Sequence, residues 1–258
     1  MTLYESLAAV FDTLFPMNPK TPGFLVGLTT PEGRIPAPRV LDLGCATGAH
    51  AIALAELGWN AVGIDSEAAM IAEADRAAAR AGVAGRLSFA VMDMREIGTR
   101  FSGQAFDLML CLGNTLPHLA GADRADAGDP HAEIARFLGA AHALLAPGAA
   151  LVVQTLNFQR EEIGPGYHFP ELVSGDLTLR RSYHEPPAGQ PGTLRFVVEL
   201  IRGPATDRGE TTLVPLAPAR LREMLREAGF AHLTCHSGWD GAPFDEARDL
   251  QCITVARA

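Results

Sequence analysis

The chain has 258 residues, a net charge of −9 at neutral pH, and a composition that is 48% hydrophobic and 20% charged. This composition is typical of a globular protein, and the length suffices for one domain or for one domain with an insertion. The acidic balance and the lack of a Lys/Arg-rich run argue against a nucleic-acid partner, and the longest apolar stretch is too interrupted to span a membrane.

The cysteines do not form a recognisable motif. Cys45, Cys111, Cys235 and Cys252 are scattered, each in an apolar context, and no CxxC pair occurs. We therefore expect small buried side chains, with neither a disulfide framework nor a metal site. The N-terminus also lacks the pattern of a signal peptide, so we expect a cytoplasmic protein.

The predicted elements begin with an amphipathic helix over residues 3–15, where apolar residues recur at helical spacing. Six prolines between residues 16 and 38 favour turns and extended segments over helix. Short apolar strands then alternate with helices, which indicates a parallel sheet built from right-handed crossovers. The predicted strands are 39–43, 60–64, 87–91, 106–112 and 149–155, and the predicted helices are 49–57, 68–82 (with Ser66 as N-cap) and 129–145.

The pattern changes after residue 158. Strand-like runs at 177–183, 194–201 and 211–214 lack intervening helices, which predicts an antiparallel β-rich insertion. A helix at 217–228 and strands at 231–235 and 250–255 complete the chain. We expect a single domain, divided into an N-terminal helix and linker (1–38), a core (39–158), an insertion (159–215) and a C-terminal helix and hairpin (216–258).

A glycine-rich turn links the first predicted strand to the first helix of the core. Residues 39–48 read R-V-L-D-L-G-C-A-T-G. Such a turn allows a ligand to approach the backbone, and the helix N-terminus behind it favours an anionic group. The dinucleotide fingerprint G-x-G-x-x-G/A would need glycine where Ala46 stands. The segment instead resembles motif I of the class I S-adenosylmethionine (SAM) methyltransferases, D/E-x-G-x-G-x-G, with Ala46 as the departure.

That resemblance implies a Rossmann-like α/β sheet, mostly parallel with a C-terminal antiparallel hairpin, and SAM as the cofactor. The turn would hold the methionine moiety, with Asp42 accepting from its ammonium, Asp65 from the ribose hydroxyls and Asp93 from the adenine amine. Plain structural roles stay open: a helix start at Asp65, a turn at Asp93 and a core position for Met70. The implied cofactor residues are Tyr4, Asp42, Gly44, Cys45, Ala46, Gly48, Asp65, Ser66, Met70, Asp93, Met94 and Leu112.

A second resemblance concerns the acceptor. Residues 111–119 read C-L-G-N-T-L-P-H-L, which is similar to the C-L-G-N-S-x-x-H-L segment of glycine N-methyltransferases. The resemblance implies that Leu112 contacts the cofactor, that Asn114 orients the acceptor amine, and that His118 lies nearby as a polar or structural residue. Asn114 and His118 are thus the candidate catalytic residues.

The same family reads D-H-R-N-Y where residues 154–158 read Q-T-L-N-F, so the arginine that clamps the substrate carboxylate aligns with Leu156. An aliphatic side chain cannot replace an arginine–carboxylate fork. Glycine is therefore a doubtful acceptor unless Arg160, Arg180 or Arg181 reaches the site. A solvated surface position is the plain alternative for all three.

The sequence therefore predicts a SAM-dependent methyltransferase that acts on a small molecule, at nitrogen rather than oxygen. A hydroxyl acceptor would need a general base, for which His118, His50 and Tyr4 are the candidates, each with a structural role as the alternative. Two other functions stay open: a nucleotide-dependent oxidoreductase that uses Asp65 for the ribose, and a SAM-binding module without turnover. A homo-oligomer is also left open.

Overall fold

The computed structural model describes residues 3–29, 37–120, 129 and 131–258, which form a seven-stranded sheet, a four-stranded sheet and surrounding helices. The strands of the larger sheet are β1 (Arg39–Leu43), β2 (Asn60–Asp65), β3 (Leu87–Val91), β4 (Phe106–Cys111), β5 (Leu145–Leu156), β10 (His232–His236) and β11 (Gln251–Arg257). The α-helices are α1 (Leu3–Ala8), α2 (Phe11–Leu14), α3 (Thr21–Thr29), α4 (Ala49–Glu56), α5 (Ala68–Ala81), α6 (Ile97–Arg100), α7 (Ala132–Ala143) and α8 (Pro218–Glu227).

The larger sheet has the order β10-β11-β5-β4-β1-β2-β3. Strands β1 to β5 pair in parallel, whereas β11 is antiparallel to both β5 and β10. The prediction of a mostly parallel α/β sheet with a C-terminal antiparallel hairpin is confirmed. The order reverses between β1 and β4, and the carboxyl ends of these two strands form the edge where such sheets bind ligands.

Strand β1 is buried on both faces, which explains its continuous apolar run. Leu41 and Leu43 belong to the core cluster beneath α6, α7 and α8, whereas Val40 belongs to the cluster beneath α3 and α4. All three side chains are fully buried. The strand therefore presents the glycine-rich turn from a rigid support.

The four-stranded sheet is antiparallel and confirms the predicted β-rich insertion. Its strands are β6 (Leu172–Ser174), β7 (Leu177–His184), β8 (Leu194–Arg202) and β9 (Ala205–Leu213). Strand β9 starts before the predicted run. The prediction omitted its first residues because they are mostly polar and exposed, without an apolar alternation. The apolar face of this sheet packs against Leu7 and Leu14 of the N-terminal helices.

The N-terminal segment differs from the prediction in two ways. The single helix expected over residues 3–15 is wrong, because Val10 leaves helical geometry at φ −121° and its N–H closes a turn onto the carbonyl of Leu7 (3.0 Å). A β-branched residue favours such a break. The prediction of turns and extended segments between residues 16 and 38 is also wrong in part, because Thr21–Thr29 form α3. Pro22 lies in the first turn of that helix, where a missing N–H is tolerated. Residues 30–36 lie outside the described part.

Three boundaries also differ. The N-cap of α5 is Glu67, not Ser66, because the backbone N–H of Glu67 donates to the Asp65 carboxylate (2.9 Å) and Ser66 is left exposed. Strand β5 begins at Leu145, so Pro147 and Gly148 lie within it, next to a register shift against β4. Helix α7 begins at residue 132, after Asp129 accepts from the backbone N–H of residue 131 (2.9 Å). Residue 130 is not described.

Candidate cofactor and acceptor site

The glycine-rich turn is bonded to the end of β2. The N–H groups of Gly44 and Cys45 both donate to the carbonyl of Ile64, at 2.8 and 2.9 Å, and the N–H of Ala46 donates to Asp65 Oδ2 at 2.9 Å. These three groups fix the shape of the turn and are not directed at a ligand. Burial also raises the pKa of the Cys45 thiol, which keeps it neutral.

Both glycines of the turn have positive φ and allow close packing of protein against protein. A Cβ on Gly44 (φ +68°) would lie 2.5 Å from Thr115 Cγ2, so this glycine lets the loops after β1 and β4 touch. A Cβ on Gly48 (φ +81°) would lie 2.3 Å from the ring of Phe89 on β3. Ala46 also has positive φ (+48°), and its methyl group packs against the cluster between α1 and the four-stranded sheet.

Asp42 is a buried carboxylate with an unused acceptor. Its residue is 2% exposed, the backbone N–H of Ala51 at the start of α4 faces it, and its Oδ2 has no hydrogen-bond partner among the described residues. Burial, together with the nearby charge of Asp65, raises the pKa of Asp42 to about 7. A buried acceptor without a donor matches the ammonium that the resemblance places here.

Three acidic side chains gather around the turn: Asp42, Asp65 and Glu67. Burial raises the pKa of Asp65 and that of Glu67, and the Asp65 charge raises the latter further. Burial likewise raises the pKa of the Tyr4 phenol, with contributions from Glu67 and then Asp65. No Lys or Arg in the described part of the chain offsets these shifts. The site is therefore electrostatically suited to a cation, and SAM carries both a sulfonium and an ammonium.

The N-terminal helices lie over the turn. Thr47 Oγ1 donates to Asp12 Oδ1 on α2 (2.5 Å). Tyr4 of α1 lines a cavity of about 360 Å³, together with Glu67, Phe196 and residues of β9. Burial lowers the pKa of His50 on α4 to about 4, so its imidazole is neutral at physiological pH. The structure thus places Thr47 and His50 near Asp12 of α2, and Tyr4 of α1 near Glu67.

Two further cofactor candidates have partners in the protein itself. Asp93 accepts from the backbone N–H of Arg95 (2.8 Å) and from its guanidinium, and so caps the short 3₁₀ turn Met94–Glu96. Met70 is buried in the cluster between α1 and the four-stranded sheet. The structure therefore gives Met70 the core position that was the plain alternative, and it gives Asp93 a capping role.

The loop after β4 holds Asn114 in a fixed orientation at φ +63°. The Asn114 side chain accepts from the backbone N–H of Leu156 (2.9 Å) and donates to the Tyr183 hydroxyl (3.5 Å). The Asn114 N–H donates to the carbonyl of Gln154 (3.1 Å), and Leu112, two positions before Asn114, is buried. Asn114 therefore connects β4, β5 and β7 at the carboxyl edge of the sheet.

Tyr183 was not singled out from the sequence. Its ring is 1% exposed and belongs to an aromatic cluster. The aromatic cluster consists of Phe158, Tyr167, Phe169, Tyr183 and Phe196. Burial raises the pKa of the Tyr183 phenol, so the hydroxyl stays protonated and can donate. The sequence signal for it is the alternation of Leu177, Leu179 and Tyr183, which predicts one inward face of β7, and these three residues are buried in the structure.

His118 lies at the edge of the aromatic cluster. Its ring centroid is 5.8 Å from that of Phe196, and burial lowers the pKa of the imidazole to about 4. A neutral imidazole at neutral pH can accept or donate a proton but carries no charge. The structure thus brings Asn114, His118 and Tyr183 to one side of the glycine-rich turn.

The three candidate arginines differ in their contacts. Arg160 donates to Glu162 (2.6 Å) and to the carbonyl of residue 248, and Arg180 donates to Glu171 (2.7 Å). The Arg181 guanidinium instead lies over the rings of Phe15 and Phe169. Only Arg181 of these three reaches the aromatic cluster, and no sequence feature distinguished it from Arg160 and Arg180.

Comparison with known proteins agrees with the geometry. A family model described as a methyltransferase domain matches residues 40–148. The chain is 25% identical to a glycine/sarcosine N-methyltransferase from Aphanothece halophytica over 208 residues, covering 78% of this chain and 69% of that protein. It is 32% identical to a dTDP-3-amino-3,6-dideoxy-alpha-D-glucopyranose N,N-dimethyltransferase from Streptomyces fradiae over 179 residues, covering 68% of this chain and 60% of the relative.

The fold also matches a solved structure, the CcbJ methyltransferase from Streptomyces caelestis. The TM-score is 0.75 at 23% identity, and the match covers 100% of this chain and 98% of that chain. The fold, the glycine-rich turn and these matches define a SAM-dependent methyltransferase. The family model, the relatives and the fold together support the class I type of these enzymes.

Two classes of feature are not seen in the described residues. No group of three or more His, Cys, Asp or Glu side chains there is arranged to hold a metal ion, and all four cysteines are free. No helix in that part of the chain has the length and apolarity needed to cross a bilayer.

Proposed function

We propose that the protein transfers the methyl group of SAM to an amine nitrogen of a small-molecule acceptor. The acceptor would lie between the loop that carries Asn114, the aromatic cluster and the N-terminal helices. The observation that carries this proposal is the fixed Asn114 side chain, which has an amide oxygen with a second lone pair for an amine N–H. The two relatives, which act on glycine or sarcosine and on an amino sugar by name, support an amine acceptor.

For the cofactor, we propose that the Asp42 carboxylate binds the ammonium and that Asp65 binds the ribose hydroxyls. Asp65 keeps acceptor capacity beyond its bonds to Ala46 and Glu67, since each carboxylate oxygen has two lone-pair sites. The adenine contacts at Asp93 and Met94 remain part of the proposal. The sulfonium supplies an activated methyl group, so the protein need not provide a nucleophile or a metal.

The residues of this chain would act by positioning. Asn114 would orient the unprotonated amine, Tyr183 would hold Asn114, and α1 and α2 would exclude water. Positioning of this kind can lower a barrier by roughly 7–11 kcal/mol. The neutral His118 would contribute polarity at the pocket edge. The net charge of −9 supports a small-molecule rather than a nucleic-acid acceptor, and a cytoplasmic location is proposed with it.

The test is a methyl-transfer assay with amino acids, amino sugars and simple amines, with S-adenosylhomocysteine formation as the readout. We expect turnover with at least one amine and none with the matching alcohols. Calorimetry with SAM in parallel separates cofactor binding from turnover. SAM binding without turnover of any amine would favour the non-catalytic alternative.

A further inference from the structure

Arg181 is a half-buried cation without an acidic partner in the described structure. Its guanidinium carbon lies 5.1 Å from the ring centroid of Phe15 and 4.8 Å from that of Phe169. Its Nε is buried and has no hydrogen-bond partner among the described residues, and Nη2 reaches only the carbonyl of Pro170, at 3.4 Å. Burial accordingly lowers the pKa of Arg181.

Three other arginines of the four-stranded sheet provide the contrast. Arg180 pairs with Glu171 at 2.7 Å, Arg195 with Glu210 at 3.7 Å, and Arg208 with Glu199 at 3.8 Å. A desolvated charge is costly to keep when it has no counter-ion. An anionic ligand would compensate Arg181, whereas Arg180, Arg195 and Arg208 each already pair with a carboxylate.

The position of Arg181 points to the acceptor side of the site. Residues 181 and 183 are two apart on β7, so their side chains share one face of the strand. Tyr183 on that face contacts Asn114, and the charge of Arg181 acts on the Tyr183 phenol. The guanidinium therefore lies along the same face of β7 as Tyr183, which contacts the Asn114 side chain that is proposed to orient the amine.

We propose that Arg181 binds a carboxylate of the acceptor, so that the substrate class is an amine that also carries a carboxylate. This inference rests on the proposed function. A guanidinium fork forms two parallel hydrogen bonds with a carboxylate, and the rings of Phe15 and Phe169 hold its plane in place.

A binding experiment tests this without turnover. The probes are phenylacetate and its neutral analogue phenylacetamide, titrated by calorimetry or NMR into protein saturated with S-adenosylhomocysteine. We expect the wild-type protein to bind phenylacetate at least about tenfold more tightly than phenylacetamide, as for a hydrogen bond to a charged group. Arg181→Gln removes this difference, and Arg181→Lys keeps part of it because the charge stays while the fork is lost.

The matched control is Arg180→Gln, which removes an exposed arginine one residue away and leaves the preference for phenylacetate intact. The affinity for S-adenosylhomocysteine reports on folding in every variant, and Arg181→Lys replaces Arg181→Gln if the latter does not bind it. Equal binding of the two probes to the wild-type protein overturns the inference, as does a preference that persists in Arg181→Gln or, where the lysine variant replaces it, undiminished in Arg181→Lys.

An activity arm separates this inference from the proposed function. Alanine is compared with alaninamide, and phenylalanine with phenylalaninamide, by S-adenosylhomocysteine formation. A wild-type preference for the carboxylates that Arg181→Gln abolishes through KM supports both proposals. Turnover of the amides at equal or greater efficiency keeps N-methylation and overturns the role of Arg181. Binding of phenylacetate without turnover of any amine keeps the anion site and overturns the proposed function.

Discussion

Thr47 and Asp12 lie 35 residues apart and are joined by a 2.5 Å hydrogen bond between the hydroxyl and the carboxylate. Thr47 is buried within the glycine-rich turn, whereas Asp12 lies on α2. This bond ties the N-terminal helices to the turn that is proposed to hold the cofactor. Because α2 is only four residues long, the contact is important for its placement.

Loss of this bond should loosen the cover over the cofactor. We expect Thr47→Val to weaken SAM binding by about fivefold to tenfold, since a hydrogen bond to a charged group is lost. Isothermal calorimetry with SAM measures the change. The control is Thr13→Val, at an exposed position on α2, and this variant should bind SAM as the wild type does. Equal affinities for all three proteins would show that α2 does not cover the bound cofactor.

Asp42 should make the stability of the unliganded protein fall as pH rises. Its pKa is about 7 in the folded protein, against an ordinary value of 3.8 for an aspartate. The folded state therefore keeps a proton that the unfolded chain loses, and stability decreases as pH rises from about 4 to about 7. We expect Asp42→Asn to flatten this dependence and to raise Tm at pH 8 by about 2–4 °C, or about 1 kcal/mol. Thermal denaturation at pH 4 and pH 8 measures it.

The same substitution should weaken cofactor binding. We expect Asp42→Asn to reduce SAM affinity by about tenfold or more, because a charge-assisted bond to the ammonium is replaced by a neutral one. Wild-type affinity should also fall as pH drops below about 7, where Asp42 takes up a proton. Asp176→Asn, at an exposed turn, controls for net charge. A variant that is more stable yet binds SAM normally would contradict the assignment of Asp42 to the ammonium.

Asn114 and Tyr183 should affect turnover more than cofactor binding. We expect Asn114→Ala to lower kcat/KM by about a hundredfold, since a displaced amine loses its orientation. Tyr183→Phe removes only a 3.5 Å hydrogen bond and should cost about threefold to tenfold. Tyr167→Phe is the matched control, because its ring lies 6.3 Å from that of Tyr183 in the same cluster. Steady-state kinetics with the best amine, together with SAM calorimetry, would show whether binding is affected instead.

Much of the fold could be predicted from local sequence. The run of Val40, Leu41 and Leu43 predicts a strand buried on both faces, because apolar residues at every position leave no face for water. The glycines after it predict a turn into a helix for reasons of backbone sterics alone. Helix α3 could not be predicted from the number of prolines, which indicates turns. Pro22 lies in the first turn of this helix, where proline is tolerated.

The contacts that organise the site could not be predicted in this way. Asn114 and Tyr183 are 69 residues apart, and neither periodicity nor motif spacing relates a loop to a strand of a different sheet. The N-cap of α5 failed for a different reason. Ser66 is a good N-cap residue by type, but the Asp65 carboxylate, held between the N–H groups of Ala46 and Glu67, accepts the Glu67 N–H, and Glu67 becomes the N-cap.

Gly48 should be needed for packing beyond its backbone conformation. We expect Gly48→Ala to destabilise the protein by about 2–5 kcal/mol, which combines left-handed strain of roughly 1–2 kcal/mol with overpacking against Phe89 of roughly 1–3 kcal/mol. Gly82→Ala isolates the first contribution, because Gly82 has φ +71° and no atom within 4 Å of the added Cβ. Urea denaturation gives both values. Pairing Gly48→Ala with Phe89→Leu should recover part of the loss, because the ring that meets the new methyl group is gone. Equal losses for Gly48→Ala and Gly82→Ala would mean that Phe89 moves aside freely, and that this glycine is required only for its positive φ.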